Sequence, residues 1–348
     1  MTDTADGTLA QLGWTRFFGE QVSADERRAC QPVRVMSVHR GRVTVAGEGF
    51  EGSISSSVRA PGGAEDRPTV GDWLLIDRDG DEVVRILDRA SLFKRPAPGD
   101  GRRIQLIAAN VDTLFVVSSC TSEFNVARIE RYLVLAQEVG VRPVVVLTKA
   151  DLSRTPERFV AAAQTLQAGL QVELIDGRDP TSAAHLAGYC GAGETVALVG
   201  SSGVGKSTLI NTLTGGDAIA TQPVREDDGK GRHTTTVRQM HRLAGRADAG
   251  GGWLVDTPGM RELQVSEVAA GVTEVFDDVT AVALDCRFAN CTHADEPGCA
   301  IRAALGEGSL DPARVERWRK LALEGSVNSA AASVRRARLL SKAGKRRR

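Results

Sequence analysis

Gly200-Ser201-Ser202-Gly203-Val204-Gly205-Lys206-Ser207-Thr208 is the stretch whose reading decides the architecture of this chain. It fits the pattern G-x-x-x-x-G-K-[ST], and its neighbours fit too. The apolar run TVALV before it reads as a buried strand, and Ser207 to Leu213 opens a helical pattern. In such a strand-loop-helix the glycines let the backbone curl so that its N–H groups surround phosphates. Lys206 then reaches the β- and γ-phosphates, and the Ser207 hydroxyl ligates Mg²⁺. The expectation is a P-loop nucleotide site, with Lys206 also stabilising charge during phosphoryl transfer.

The residues before the loop select the base. Thr148-Lys149-Ala150-Asp151 ends the apolar run PVVVL. A carboxylate at Asp151 accepts from both N1–H and the 2-amino group of guanine. Adenine lacks both donors, which favours GTP over ATP. The Lys149 stem covers the purine face, and Thr148 stands where an Asn is usual.

Two segments follow the loop. Asp256-Thr-Pro-Gly259 comes after the apolar run WLV. An acid at that strand end holds Mg²⁺ through water, and the Gly259 N–H meets the γ-phosphate. Between them lies Gly229-Lys-Gly-Arg-His-Thr-Thr-Thr236, a polar loop before VRQMHRL. Thr235, or alternatively Thr234, is the residue expected to bind Mg²⁺ there. Met260 follows Gly259, where many GTPases carry a water-orienting Gln. Its thioether cannot orient water usefully. His233 is the nearest polar substitute, so hydrolysis should be slow without a partner.

The order of these pieces is itself informative. The base-selecting motif at 148 precedes the loop at 200, and DTPG comes last at 256. That order describes a circularly permuted GTPase, in which the same sheet is cut at a different loop. The apolar runs DTLFVVS, PVVVLT, VELI, TVALVG and WLVDT alternate with helical spacing at Arg128 to Val139 and Glu157 to Ala168. Alternation of that kind predicts an α/β domain with a parallel sheet.

The flanks differ in kind. From Val33 to about Phe93 the segments VRVMSV, GRVTVAG, DWLLIDRDG and EVVRIL are short and alternating. They predict a small barrel of about five strands, such as an OB-fold. Residues 1–32 show one apolar patch at Leu12, Trp14, Phe17 and Phe18. After Ser266 the chain reads as helical around Cys286-x₄-Cys291-x-His293-x₅-Cys299. Three thiolates and an imidazole so spaced close a tetrahedral Zn²⁺ shell, which makes the site structural. The last sixteen residues hold eight Lys or Arg and no acid, a block that attracts polyanions. The expected domains are an extension at 1–32, an OB-fold at 33–95, the permuted GTPase at 96–265, a helical zinc domain at 266–332 and a basic tail at 333–348.

Composition excludes some classes. The formal net charge is zero, 42% of residues are hydrophobic, and no apolar run would span a bilayer. A start without a basic then apolar segment predicts a cytoplasmic protein.

Taken together, the chain resembles the ribosome small subunit-dependent GTPase A (RsgA) family over roughly residues 33 to 310. The resemblance rests on the permuted order, AANVDTLFVV, RIERYLVLA, TKADL, GSSGVGKSTLIN, GRHTTT, DTPGM and the Cys/His cluster. It implies an N-terminal OB-fold, a permuted GTPase and a C-terminal zinc domain. It also implies a monomer that acts late in assembly of the small ribosomal subunit, on its rRNA, with no membrane or DNA partner. GTP hydrolysis would be stimulated by the subunit. GTP contacts carry over to Thr148–Asp151 and Gly200–Thr208, and zinc ligands to Cys286, Cys291, His293 and Cys299. The family often backs the guanine with a Ser-Ala-type segment, but here Ile175-Asp-Gly-Arg178 stands in its place. A different class of function also fits: an RNA-binding assembly chaperone for which GTP is mainly a structural ligand.

Overall fold

The computed structural model describes residues 5–59, 65–79, 82–97, 100–216, 238–243, 251–256 and 269–326. They fall into two compact units. The first lies within residues 1–124, 141–160 and 171–264, and the second within 125–140, 161–170 and 265–348.

Three short helices begin the first unit: α1 (Ala5–Gln11), α2 (Arg16–Gly19) and α3 (Ala24–Ala29). Ser23 and Glu26 form a reciprocal capping box on α3. A hydrogen bond from Arg85 then holds the Glu26 carboxyl down to about 2. The apolar patch of this region is a core element. Trp14 and Phe18 pack on the fully buried Trp73, with Trp14 edge-on at 4.8 Å between ring centroids. Phe17 stays largely exposed.

The strands β1 (Cys30–His39), β2 (Arg42–Gly47), β3 (Phe50–Ser55), β4 (Trp73–Asp77) and β5 (Val83–Ile86) follow. β1 pairs antiparallel with β2 on one side and β4 on the other, β2 pairs with β3, and β4 with β5. A parallel bridge from Val58 to Val83 links the chain after β3 to β5 and makes the pairings a ring. Val33, Val35, Val43, Val45, Leu74 and Ile76 fill it, the inward positions expected of alternating strands. β3, with the sequence FEGSIS, was not among the expected strands. It buries only Ile54, so it carries almost no alternating signal.

A hairpin of β6 (Leu92–Ala97) and β7 (Asp100–Ala109) leads into the α/β part. Of the elements that follow, β8 (Thr113–Ser119), β9 (Arg142–Thr148), β10 (Gln171–Leu174), α6 (Pro180–Ala183), β11 (Thr195–Val199), α7 (Lys206–Thr214), β12 (Arg238–Arg242) and β13 (Trp253–Asp256) belong to the first unit, whereas α4 (Val126–Glu138) belongs to the second and α5 (Glu157–Gln164) is divided between the two. The spatial order is β10-β9-β8-β11-β13-β12, continuing through β1. The first five are parallel, and β12 runs antiparallel to β13 and to β1. Every residue of β8 and β11 is buried, which is why both read as unbroken apolar runs. Leu209, Ile210 and Leu213 of α7 pack with Phe115, Val117, Val144, Val146, Val196 and Leu198 in one core.

Arg34 of β1 ties these parts together. Its buried guanidinium donates to the carbonyl of Leu12, to the Thr195 hydroxyl at 2.8 Å and to the Asn110 carbonyl at 3.3 Å. Burial pulls its pKa down to about 10, against the opposing pull of Asp112 and Asp72.

The second unit contains α4, α8 (Ala269–Val275), α9 (Asp277–Leu284), α10 (Ala300–Glu307) and α11, which is helical over 312–326. Asp311 caps α11 and Pro312 takes its first position. The polar centre is Glu130 of α4, whose side chain is fully buried. Arg317 grips it at 2.6 and 3.1 Å, and Arg314 reaches it at 3.3 Å while also bonding Asp278 at 2.7 Å. Burial pushes the Glu130 carboxyl up, while the hydrogen bond and charge of Arg317 pull it down. Glu130→Ala would leave two arginines facing a void. We expect a loss of about 3–5 kcal/mol in this unit, read as a lower denaturant midpoint.

Candidate nucleotide site and Cys/His cluster

Of the segments singled out, Thr148–Asp151, Gly200–Thr208 and Asp256 lie at the carboxyl ends of parallel strands β9, β11 and β13, where open α/β sheets bind ligands. β11 ends at Val199 and the chain turns at Gly200. Gly200 has φ +148, and a Cβ there would run into the Val117 carbonyl oxygen. Gly205 takes φ +95 as the residue that starts α7. A side chain is strained at both positions. Between them the loop wraps the start of α7, which presents main-chain N–H groups as an anion cradle. The Lys206 ammonium donates to the carbonyls of Gly200, at 2.8 Å, and Ser201. Its charge therefore stands over the loop.

β9 ends at Thr148, two strands from β11. The Thr148 hydroxyl lies 2.6 Å from the carbonyl oxygen of Val204, inside the loop, and 3.1 Å from that of Ser118. A Thr therefore ties the segment expected to select the base to the Gly200–Thr208 loop with its own side chain. Lys149 adopts the left-handed conformation, φ 56, which is costly for a residue with a Cβ and clusters at functional sites. The short turn Ala150–Leu152 follows, and Asp151 receives a hydrogen bond from Arg178 Nη2 at 2.7 Å. Arg178 belongs to the segment after β10 that departs from the usual pattern. Its contact with Asp151 joins residues 27 apart, and no local signal marks it.

Asp256 closes β13 on the other side of β11. Burial pushes its carboxyl up, opposed by the nearby charges of His241 and Lys206. His241, on β12, is pushed down by its own burial. Asp256 and Lys206 therefore share one electrostatic neighbourhood, as a Mg²⁺-phosphate site needs. His241 was not foreseen, because nothing in VRQMHRL distinguishes it. His233, Thr234, Thr235, Gly259 and Met260 lie outside the described residues, as does the basic tail from 333.

In the second unit, Cys286, Cys291, His293 and Cys299 converge, with their ligand atoms all within 4.8 Å of one another. His293 Nδ1 is 3.4 Å from Cys286 Sγ and 3.7 Å from Cys299 Sγ. A tetrahedral site with ~2.3 Å metal–sulfur bonds has edges of roughly 3.7 Å, so the set fits without large rearrangement. His293 reaches its place through a left-handed backbone, φ 61. Glu296 braces the turn, accepting from the backbone N–H of Thr292 at 2.8 Å and of Ala294 at 3.0 Å. The ring of Trp318, on α11, lies 5.3 Å from that of His293.

The model of one protein family, the RsgA GTPase, matches residues 86–266. The chain belongs to the RsgA GTPase family. It is 48% identical over 325 residues to the small ribosomal subunit biogenesis GTPase RsgA of Mesorhizobium japonicum, covering 92% of this chain and 91% of that relative. It is 43% identical over 339 residues to an RsgA of Vibrio vulnificus, covering 97% and 94%. Among solved structures it resembles YjeQ from Thermotoga maritima with a TM-score of 0.60 at 25% identity, over 85% of this chain and 98% of that one. The fold is also that of YloQ, described as a circularly permuted GTPase, with a TM-score of 0.58 over 85% and 95%. As an RsgA-family member the chain is a GTP hydrolase, and the strand that ends at Thr148 precedes the strand that ends at Val199. Among the described residues no helix is long and apolar enough to cross a membrane.

Proposed function

We propose that this GTPase acts in late assembly of the small ribosomal subunit, bound to its rRNA, and that the subunit stimulates GTP hydrolysis. The observation that carries the reading is the joining of base selector and phosphate loop by the Thr148–Val204 contact. Bound with Mg²⁺, GTP supplies the phosphoryl group for transfer to water. Lys206 and the N–H groups of Gly200–Thr208 hold its phosphates, while Asp151 holds guanine beneath the Lys149 stem. Ser207, Thr235 and Asp256 are the Mg²⁺ ligands in this reading, and Gly259 contacts the γ-phosphate. His233 is the polar group available for orienting water beside Met260.

The five strands β1–β5 pair as an OB-fold does, which supports that assignment and a role in holding rRNA. The basic tail adds a polyanion-binding segment. The Cys₃His set suits one structural zinc. Domain limits of 33–95, 96–265 and 266–332 go with this reading, as do a monomeric state and a cytoplasmic site of action. The names of the relatives, small ribosomal subunit biogenesis GTPase, support the partner.

The test is multiple-turnover GTP hydrolysis with and without purified small subunits. Stimulated hydrolysis predicts a rise of roughly a thousandfold, the lower end for a partner that completes a GTPase site. A rate that no ribosomal particle changes would instead support the chaperone reading, which Met260 favours.

A further inference from the structure

One ion pair joins Asp151 of the expected base motif to a residue outside both that motif and the P-loop. Arg178 Nη2 lies 2.7 Å from Asp151 Oδ2. The segment that carries Arg178 is fastened at several points. Ile175 N–H donates to the Leu147 carbonyl at 2.9 Å, extending the ladder beside β9. Asp176 N–H donates to the Ser182 hydroxyl at 3.0 Å, and Arg178 N–H to Asp176 Oδ1 at 2.9 Å. The Thr212 hydroxyl, on α7, donates to the Gly177 carbonyl at 2.8 Å. The Arg178 backbone is thus held both to the strand that ends in the base motif and to the helix that the P-loop opens. Asp176 also lies beside the guanidinium, 3.7 Å from Nε, and limits where it can point.

The stereochemistry of the carboxylate decides what this pair can do. An ionised Asp has about four lone-pair sites on two oxygens. Guanine needs one on each oxygen, for N1–H and for the 2-amino group. Arg178 uses one site on Oδ2, which leaves enough for the base. A carboxylate on a short side chain otherwise rotates about its terminal bond, where the torsional wells are broad. A guanidinium bound at one oxygen restricts that rotation.

The geometry points to Arg178 as a positioning residue for base selection: it holds the Asp151 carboxylate in the plane that meets both donors of guanine. This rests on the reading of Asp151 as the guanine selector. The pair is largely open to solvent at Arg178, so its effect is modest and concentrated in specificity.

The test uses the full-length protein and fluorescent mant-GDP, displaced by unlabelled GDP or by inosine diphosphate. Inosine lacks the 2-amino group and offers only N1–H. A single hydrogen bond can follow a rotating carboxylate, but two fixed donors cannot. Arg178→Ala should weaken GDP binding about fivefold, the upper range for an exposed pair, and weaken inosine diphosphate less. Arg178→Lys, which keeps one charged donor, should recover part of the loss. In an Asp151→Asn background, Arg178→Ala should add nothing. If Asp151→Asn binds GDP like the wild type, the guanine-selector reading itself is wrong. If Asp151→Asn loses GDP while Arg178→Ala leaves GDP unchanged, the ion pair is idle and the proposal alone falls. Tighter GDP binding by Arg178→Ala would also overturn it, because Arg178 would then compete with the base. An equal loss for GDP and inosine diphosphate would mark Arg178 as a general contact.

Discussion

Asp151→Asn should move the base preference of this GTPase from guanine to xanthine. Guanine presents two donors, N1–H and the 2-amino group, and an ionised carboxylate accepts both. An Asn in the same place presents one acceptor and one donor, so a donor faces the 2-amino group. Xanthine has a carbonyl at that position and pairs with the amide. A site built around such hydrogen bonds rejects the wrong partner strongly, because the unpaired groups stay desolvated. GDP affinity should fall by at least about a hundredfold, with xanthosine diphosphate gaining in turn. Competition binding of the two diphosphates to wild type and variant reads this directly. Equal loss of both would mean that the substitution damaged the pocket rather than changed its preference.

Cys291→Ser should release the metal and unfold the segment around it. Little of that segment is held by apolar packing. Leu284 is 82% exposed and Phe288 41%, and residues 286–299 form no regular element. Cys299 and Ile301 are buried behind it and continue into α10. With zinc in the proposed site, metal binding would supply most of the folding free energy, on the order of 10 kcal/mol for a structural zinc site. The expected results are one zinc per wild-type chain by elemental analysis and none retained by the variant after a chelator. The 285–300 amides should lose protection from hydrogen exchange in the variant while those of β8 and β11 keep theirs. Full protection without metal would show that the turn braced by Glu296 folds on its own. Because thiolates and neutral imidazole are the ligand forms, zinc should also dissociate as pH falls.

Much of the site was legible because it is contiguous. A P-loop is nine successive residues whose backbone performs the chemistry, so Gly200 to Thr208 carry their meaning in one string. The Cys/His cluster has the same property, as its four ligands lie within fourteen residues. The buried strands β8 and β11 read as apolar runs because both faces are covered. β3 escaped notice because a half-polar strand is defined by its partner β2, not by its own pattern. The apolar patch at Trp14 and Phe18 was visible, but its purpose was not. Its counterpart Trp73 lies almost sixty residues on, across a register that only the folded chain sets.

Thr148 is the sharpest case of a meaning supplied from a distance. As a residue it was a departure from the common Asn. In the fold its hydroxyl meets the carbonyl of Val204, and the departure becomes a link between the ends of β9 and β11. Arg178 and Glu130 follow the same logic, each meeting its ionic partner from another element. The chain sequence by itself determined the α/β class, the permuted order, the GTP chemistry and the Cys/His set that the fold brings together, because each is written in short runs with strong local stereochemistry. The tertiary structure alone decided how the base selector is braced, what covers the N-terminal patch and what neutralises Glu130. Those outcomes depend on contacts between residues far apart in the chain, whose meeting is set by strand register and helix packing rather than by any local propensity.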